Sequence, residues 1–163
     1  MRCVLVLAAV LVAIPRPARP EAGGVLLVNL RTGERLEVAP FPLPPPAALN
    51  RFFRCGRDRR YTLMDPRLVL SLLDAAKRLS RRRVEVLSAF RTRGLNEALR
   101  EAGHKVALRS RHVHGQALDI RLPGVPVTDL CAYFRRYPPG GVGCYHKQGF
   151  VHIDVGPVRF WSG

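Results

Sequence analysis

The five histidines all lie beyond residue 100: His104, His112, His114, His146 and His152. Two stretches combine them with acidic residues. In Ser110-Arg111-His112-Val113-His114-Gly115-Gln116-Ala117-Leu118-Asp119-Ile120 a histidine and an aspartate are separated by a glycine bend, and the aspartate falls in an apolar, strand-like run. A carboxylate in such a run needs a partner, because an unpaired buried charge is costly. In Phe150-Val151-His152-Ile153-Asp154, period-two alternation puts Phe150, His152 and Asp154 on one face of a strand, with Val151 and Ile153 on the other. Two histidines and one aspartate are the donor set of a catalytic zinc site, three protein ligands with a fourth position open to water. The same residue types also fit polar side chains satisfied by hydrogen bonds at strand ends. Residue type alone leaves both readings open.

Positioning such groups requires a sheet. Val25 to Val28 reads as a strand, Arg31-Thr32-Gly33-Glu34 as a turn and Leu36 to Val38 as the return strand. The five prolines within 40–46 interrupt the pattern, and a short helix follows from Ala47 to Phe53. Asp65-Pro66 is a helix start, a capping carboxylate followed by proline in the first turn. Leu68, Leu72, Leu73, Ala76 and Leu79 then recur at helical spacing. Further strands are read at Val84 to Ser88, Ala117 to Leu122, Val142 to Tyr145, Phe150 to Val155 and Val158 to Trp161. Further helices are read at Asn96 to Glu101 and Val127 to Arg136. The pattern predicts an α+β fold, an antiparallel sheet flanked by helices.

A chain of 163 residues with 47% hydrophobic content supports one domain with a real core. The net charge of +15 raises nucleic-acid binding as a function class. The arginine runs at 57–60 and 81–83 argue against it, since no aromatic residues interleave with them to stack bases. No nucleic-acid partner is expected; the charge fits attraction to an anionic polymer or surface. Arg2 and the apolar run Cys3 to Ile14 read as a secretory signal, too short to span a bilayer comfortably. The sequence around Ala18 and Ala22 is a poor cleavage site, because Arg16 and Pro20 stand two residues before them. Residues 1–22 are therefore either a removed signal or a short membrane anchor, and 23–163 the domain. Of the cysteines, Cys55, Cys131 and Cys144 lie past that segment. Export permits one disulfide among them and leaves one thiol over, with the pairing open.

Ser110-x-His112-x-x-Gly115-x-Ala117-x-Asp119 resembles the zinc motif of the D-Ala-D-Ala carboxypeptidases and dipeptidases, whose fold the hedgehog signalling domain shares. A closer resemblance is to the murein endopeptidase K family. It is carried by Gly140-Gly141-Val142-Gly143-x-Tyr145 and by Gly149-Phe150-Val151-His152-Ile153-Asp154-x-Gly156-Pro157-Val158-Arg159-x-Trp161. Asn29-Leu30-x-Thr32-Gly33-Glu34, Asp65-Pro66-Arg67-Leu68 and Ser88-Ala89-Phe90-Arg91-Thr92 extend it to most of the chain.

That resemblance implies a zinc endopeptidase that hydrolyses peptide crosslinks of peptidoglycan; with the N-terminal export segment it is expected in the periplasm or cell envelope, and as a monomer. The nearest alternatives are a D-Ala-releasing carboxypeptidase and a zinc-containing, non-catalytic wall-binding domain. It also implies that His112, Asp119 and His152 hold Zn2+ and that Ser110 and Arg91 face the substrate, the peptidoglycan peptide stems. The fixed charge of Arg91 would act catalytically, beside a developing oxyanion. The dipeptidase branch has a glutamate three residues before its last histidine, where this chain has Gly149. Asp154, His114 and His146 remain as candidate bases, and Asp154 is equally open to orienting a ligand histidine. His104 is read as a surface residue.

Overall fold

The computed structural model describes residues 24–104 and 106–163; the segment 1–22 read as signal or anchor lies outside them. Twelve elements follow one another: β1 (Val25–Asn29), β2 (Arg35–Val38), α1 (Pro46–Phe52), α2 (Pro66–Arg78), β3 (Arg83–Ser88), α3 (Arg93–Glu101), a 3-10 turn (Arg111–His114), β4 (Ala117–Arg121), α4 (Val127–Arg136), β5 (Gly141–Tyr145), β6 (Phe150–Asp154) and β7 (Arg159–Ser162). The strands form one sheet in the order β2-β1-β3-β4-β6-β5-β7. Four of its pairings are antiparallel, while β1–β3 and β5–β7 are parallel. The α+β class stands, and the sheet is mixed. Parallel neighbours need a crossover, which α1 and α2 supply between β1 and β3 and which β6 supplies between β5 and β7.

Local chemistry sets the helix ends. Asp65 accepts the Arg67 amide at 3.0 Å and Pro66 opens α2, as the sequence predicts. Leu68, Val69, Leu72, Leu73, Ala75 and Ala76 form its buried stripe, each large aliphatic side chain contributing about 1.5–3 kcal/mol. The third helix begins three residues earlier than its apolar pattern suggests. Thr92 caps it, its hydroxyl accepting from the Leu95 amide at 3.3 Å, and the first turn carries no apolar residue before Leu95 to reveal it.

Strand alternation decides which side chains meet. Leu118 and Ile120 of β4 and Val151 and Ile153 of β6 are buried in the core that also holds Leu68, Leu72, Leu130 and Phe134. Asp119 and His152, one position out of phase, lie on the opposite face. They are directly opposed in the β4–β6 ladder. The open cysteine pairing resolves as a disulfide from Cys131 on α4 to Cys144 on β5, with a Cα separation of 5.9 Å. Among the described residues Cys55 is buried and unpaired. Among the described residues no helix is long and apolar enough to cross a membrane.

Candidate metal centre and its cleft

His112 reaches Asp119 and His152 from the 3-10 turn. The turn ends at Gly115, whose φ of +67° is left-handed. A side chain there would also come within 2.4 Å of the Leu63 carbonyl oxygen, so glycine is required twice over. The chain reverses at once and enters β4, bringing His112 over Asp119. His112 Nε2 lies 3.3 Å from Asp119 Oδ1 and 3.3 Å from His152 Nδ1, while His152 Nδ1 lies 2.8 Å from the same Oδ1. One ligand atom from each residue thus falls within 4.8 Å of the others.

The far nitrogens of both rings are anchored. His112 Nδ1 donates to the Ala89 carbonyl at 2.7 Å, which fixes that ring's proton away from the cluster. His152 Nε2 points at Asp154 Oδ2, 3.2 Å away. Asp154 is fully buried and heavily subscribed. Its Oδ2 also accepts from Arg159 Nη2 at 2.7 Å. Its Oδ1 accepts from the Gly156 amide at 2.8 Å, the Gly141 amide at 3.3 Å and Arg159 Nη1 at 3.3 Å. Ligand histidines whose outer nitrogens donate to a carbonyl or carboxylate are the usual support of a metal site. The donor set fits zinc.

The electrostatics agree. Burial lowers the His112 pKa against the pull of Asp119, keeping that ring neutral and its Nε2 lone pair free. Burial opposes charge on His152 as well, but hydrogen bonds to Asp119 and Asp154 outweigh it and raise its pKa. Burial likewise works against ionisation of Asp119, and its two histidine neighbours hold its pKa well below the usual range nonetheless. A proton on His152 Nδ1 and a cation would therefore compete for the same position beside Asp119 Oδ1.

The cluster opens into a cleft of about 350 Å3. Arg91 is 6% exposed and sets a guanidinium nitrogen 3.8 Å from Asp119 Oδ2. Ser88 and Asn96 hold it at 3.3 and 3.4 Å. Ser110, also buried, lines the same cleft. His114 and His146 are exposed and line no part of it, and His104 is exposed as expected. Among the lining groups with no role assigned from the sequence, three stand beside His152. Tyr145 stacks on Phe150 with ring centroids 4.5 Å apart, and its oxygen accepts from Trp161 Nε1 at 3.0 Å. Trp161 lies over Gly143, where a side chain would come within 2.4 Å of the indole. Arg159 is the third. All three fall inside the glycine-rich and Pro-Val-Arg-x-Trp blocks, and only the strand order shows that these blocks flank His152.

An α+β sheet that presents two histidines and an aspartate to an open, arginine-lined cleft has the architecture of a hydrolase. The chain belongs to the peptidoglycan L,D-endopeptidase MepK family, whose model matches residues 21–161. It is similar to the probable peptidoglycan L,D-endopeptidase MepK of Haemophilus influenzae, 35% identical over 143 residues, which cover 83% of this chain and 76% of that one. It is also similar to the peptidoglycan L,D-endopeptidase MepK of Escherichia coli K12, 33% identical over 163 residues, covering 91% and 87%. No solved structure matches it.

Proposed function

We propose that the protein is a zinc-dependent endopeptidase that hydrolyses peptide crosslinks of peptidoglycan in the cell envelope. The observation that carries this reading is the opposed pair Asp119 and His152, closed by His112, with the outer nitrogen of each ring already anchored. His112 Nε2, Asp119 Oδ1 and His152 Nδ1 would hold the ion. When bound, zinc supplies Lewis acidity to the scissile amide and lowers the pKa of a water. The chain's own residues do the rest. Arg91, kept charged beside Asp119, faces the carbonyl oxygen as negative charge develops there. Tyr145 accepts a hydrogen bond from Trp161 Nε1–H on its oxygen, which leaves its own hydroxyl hydrogen to donate into the cleft. Asp154 accepts five hydrogen bonds and holds the His152 ring; it is the orienting group in this proposal. Ser110 contacts the peptide stem. The segment 1–22 directs export to the periplasm, by removal or as a tether, and 23–163 acts as a monomer.

Digestion of purified wall sacculi, with and without a chelator, tests this. Mass analysis should show crosslinked dimers converted to monomers, with the conversion lost on chelation and regained with zinc. Release of terminal D-Ala alone would make it a carboxypeptidase. Bound zinc without any cleavage would make it a wall-binding domain.

A further inference from the structure

A second cavity, about 430 Å3, adjoins the metal cleft. Arg91, Val106, Asp119 and Phe150 wall both, so the two lobes adjoin at these residues, beside Asp119 of the cluster. The first lobe is bounded by Tyr145, Arg159 and Trp161. The second is bounded by Arg31, Phe90, Leu99 and His104. Removing a residue from a free chain end requires one extended lobe. Cutting inside a crosslink leaves peptide on both sides of the scissile bond, and two adjoining lobes give room for two stems.

Arg31 is placed in the second lobe by specific contacts. The side chain of Asn29, 3% exposed, accepts the Arg31 amide at 2.9 Å and the Thr32 amide at 3.2 Å, and donates to the Phe52 carbonyl at 2.7 Å. The turn after β1 is thereby fixed. Gly56 would bring a side-chain carbon within 2.7 Å of Arg31 Cβ, so glycine there lets the arginine stem lie against the chain. Arg31 Nε donates to the Leu87 carbonyl at 3.1 Å. Its neighbours Arg54 and Arg57 are engaged by Glu34 and Asp58. Arg31 has no carboxylate partner among the described residues, and its two Nη groups remain to bind one. Burial lowers the Arg91 pKa, and the Arg31 charge adds to that effect, which places the two cations within electrostatic reach of each other.

We propose that the second lobe binds the second peptide stem of a crosslinked substrate, and that Arg31 takes a carboxylate of that stem through its two Nη groups. The planar fork suits bidentate pairing with a carboxylate. This inference rests on the endopeptidase reading. It makes Arg31 a specificity residue rather than part of the metal machinery.

The test compares wild type, Arg31→Gln and Arg31→Lys on two soluble substrates: a crosslinked dimeric muropeptide with free carboxylates, and the same dimer with its carboxylates amidated. On the free-carboxylate dimer Arg31→Gln should raise KM by about 10- to 100-fold, the usual weight of a charged hydrogen bond. kcat should stay within about twofold, and Arg31→Lys should recover part of the loss. On the amidated dimer wild type and Arg31→Gln should share one KM. Zinc content and melting temperature should match wild type, because Arg31 is exposed. An unchanged KM on the free-carboxylate dimer, or the same penalty on both dimers, overturns the subsite. Failure of zinc-loaded wild type to cut either dimer overturns the endopeptidase reading, and the subsite with it.

Discussion

Replacing Asp154 by asparagine separates holding a ligand from moving a proton. The carboxylate lies at 0% exposure and accepts from two donors on Oδ2 and three on Oδ1. An amide keeps the shape but turns one acceptor into a donor. Facing the Oδ2 side, its NH2 meets His152 Nε2 and Arg159 Nη2. Facing the Oδ1 side, it meets the Gly141 and Gly156 amides and Arg159 Nη1. Either way at least two donors lose their acceptor, at about 1–3 kcal/mol for each one left buried. Arg159 reaches solvent and relaxes, so we expect a net loss of about 2–3 kcal/mol. That corresponds to roughly 4–12 °C in melting temperature for a chain of this size. The loosened His152 ring should weaken zinc by about 10–100-fold. The assay is a chelator-competition titration of zinc affinity, run beside turnover of a crosslinked muropeptide at rising zinc. Asp154→Asn should be slow at stoichiometric zinc and recover to within severalfold of wild type in excess. His112→Ala is the benchmark, with zinc content well below one equivalent. Full zinc occupancy combined with a turnover deficit of roughly two to four orders of magnitude would refute the orienting role. It would identify Asp154 as the proton acceptor instead.

Two further outcomes follow from the same contacts. Asp119 and Asp154 overcome burial to raise the His152 pKa, so the proton competes with metal to a higher pH than at an ordinary histidine. Zinc retention at limiting metal should therefore fall as pH is lowered from about 8 toward 6, starting near the unperturbed histidine pKa of about 6.5 or above it; retention that stays flat across that range, measured by chelator competition, would contradict this. Reducing the Cys131–Cys144 bridge, which closes a 13-residue separation, should cost roughly 3 kcal/mol. Calorimetry with and without reductant should show the lower melting temperature while zinc content holds, because neither cysteine contacts the ligand cluster.

Much of the centre is visible before any coordinates, because period-two alternation is a property of the backbone. Placing Leu118 and Ile120 in the core sends Asp119 to the other face, and Val151 and Ile153 do the same for His152. The α4 helix has the bounds its pattern suggests, and α2 starts at the Asp65 cap. What alternation cannot give is which strands are neighbours. Tyr145 and Trp161 share a face with His152 only because β5 lies between β6 and β7, pairing Gly143 with His152 on one side and Trp161 on the other. The two parallel pairings are hidden for the same reason. The cysteine pairing depends on α4 packing against β5, a tertiary contact with no local signature. Arg31 reads simply as a turn residue, since its role depends, beyond nearby Asn29, on Gly56 and Leu87, two distant positions that meet it only in the fold.

The strand order has an evolutionary corollary. Every candidate metal ligand follows residue 110, on β4, β6 and the turn before them. The cations of the second lobe other than Arg91, namely Arg31, Arg54 and Arg57, all precede residue 60. The β3–β4 ladder is the seam between these two stretches, and Arg91 reaches across it. The metal ligands and the cations of the second lobe other than Arg91 are thus written in separate lengths of the gene. With the second lobe as the proposed subsite, changes in the first half would alter which second stem is accepted while the ligands of the second half stay where they are.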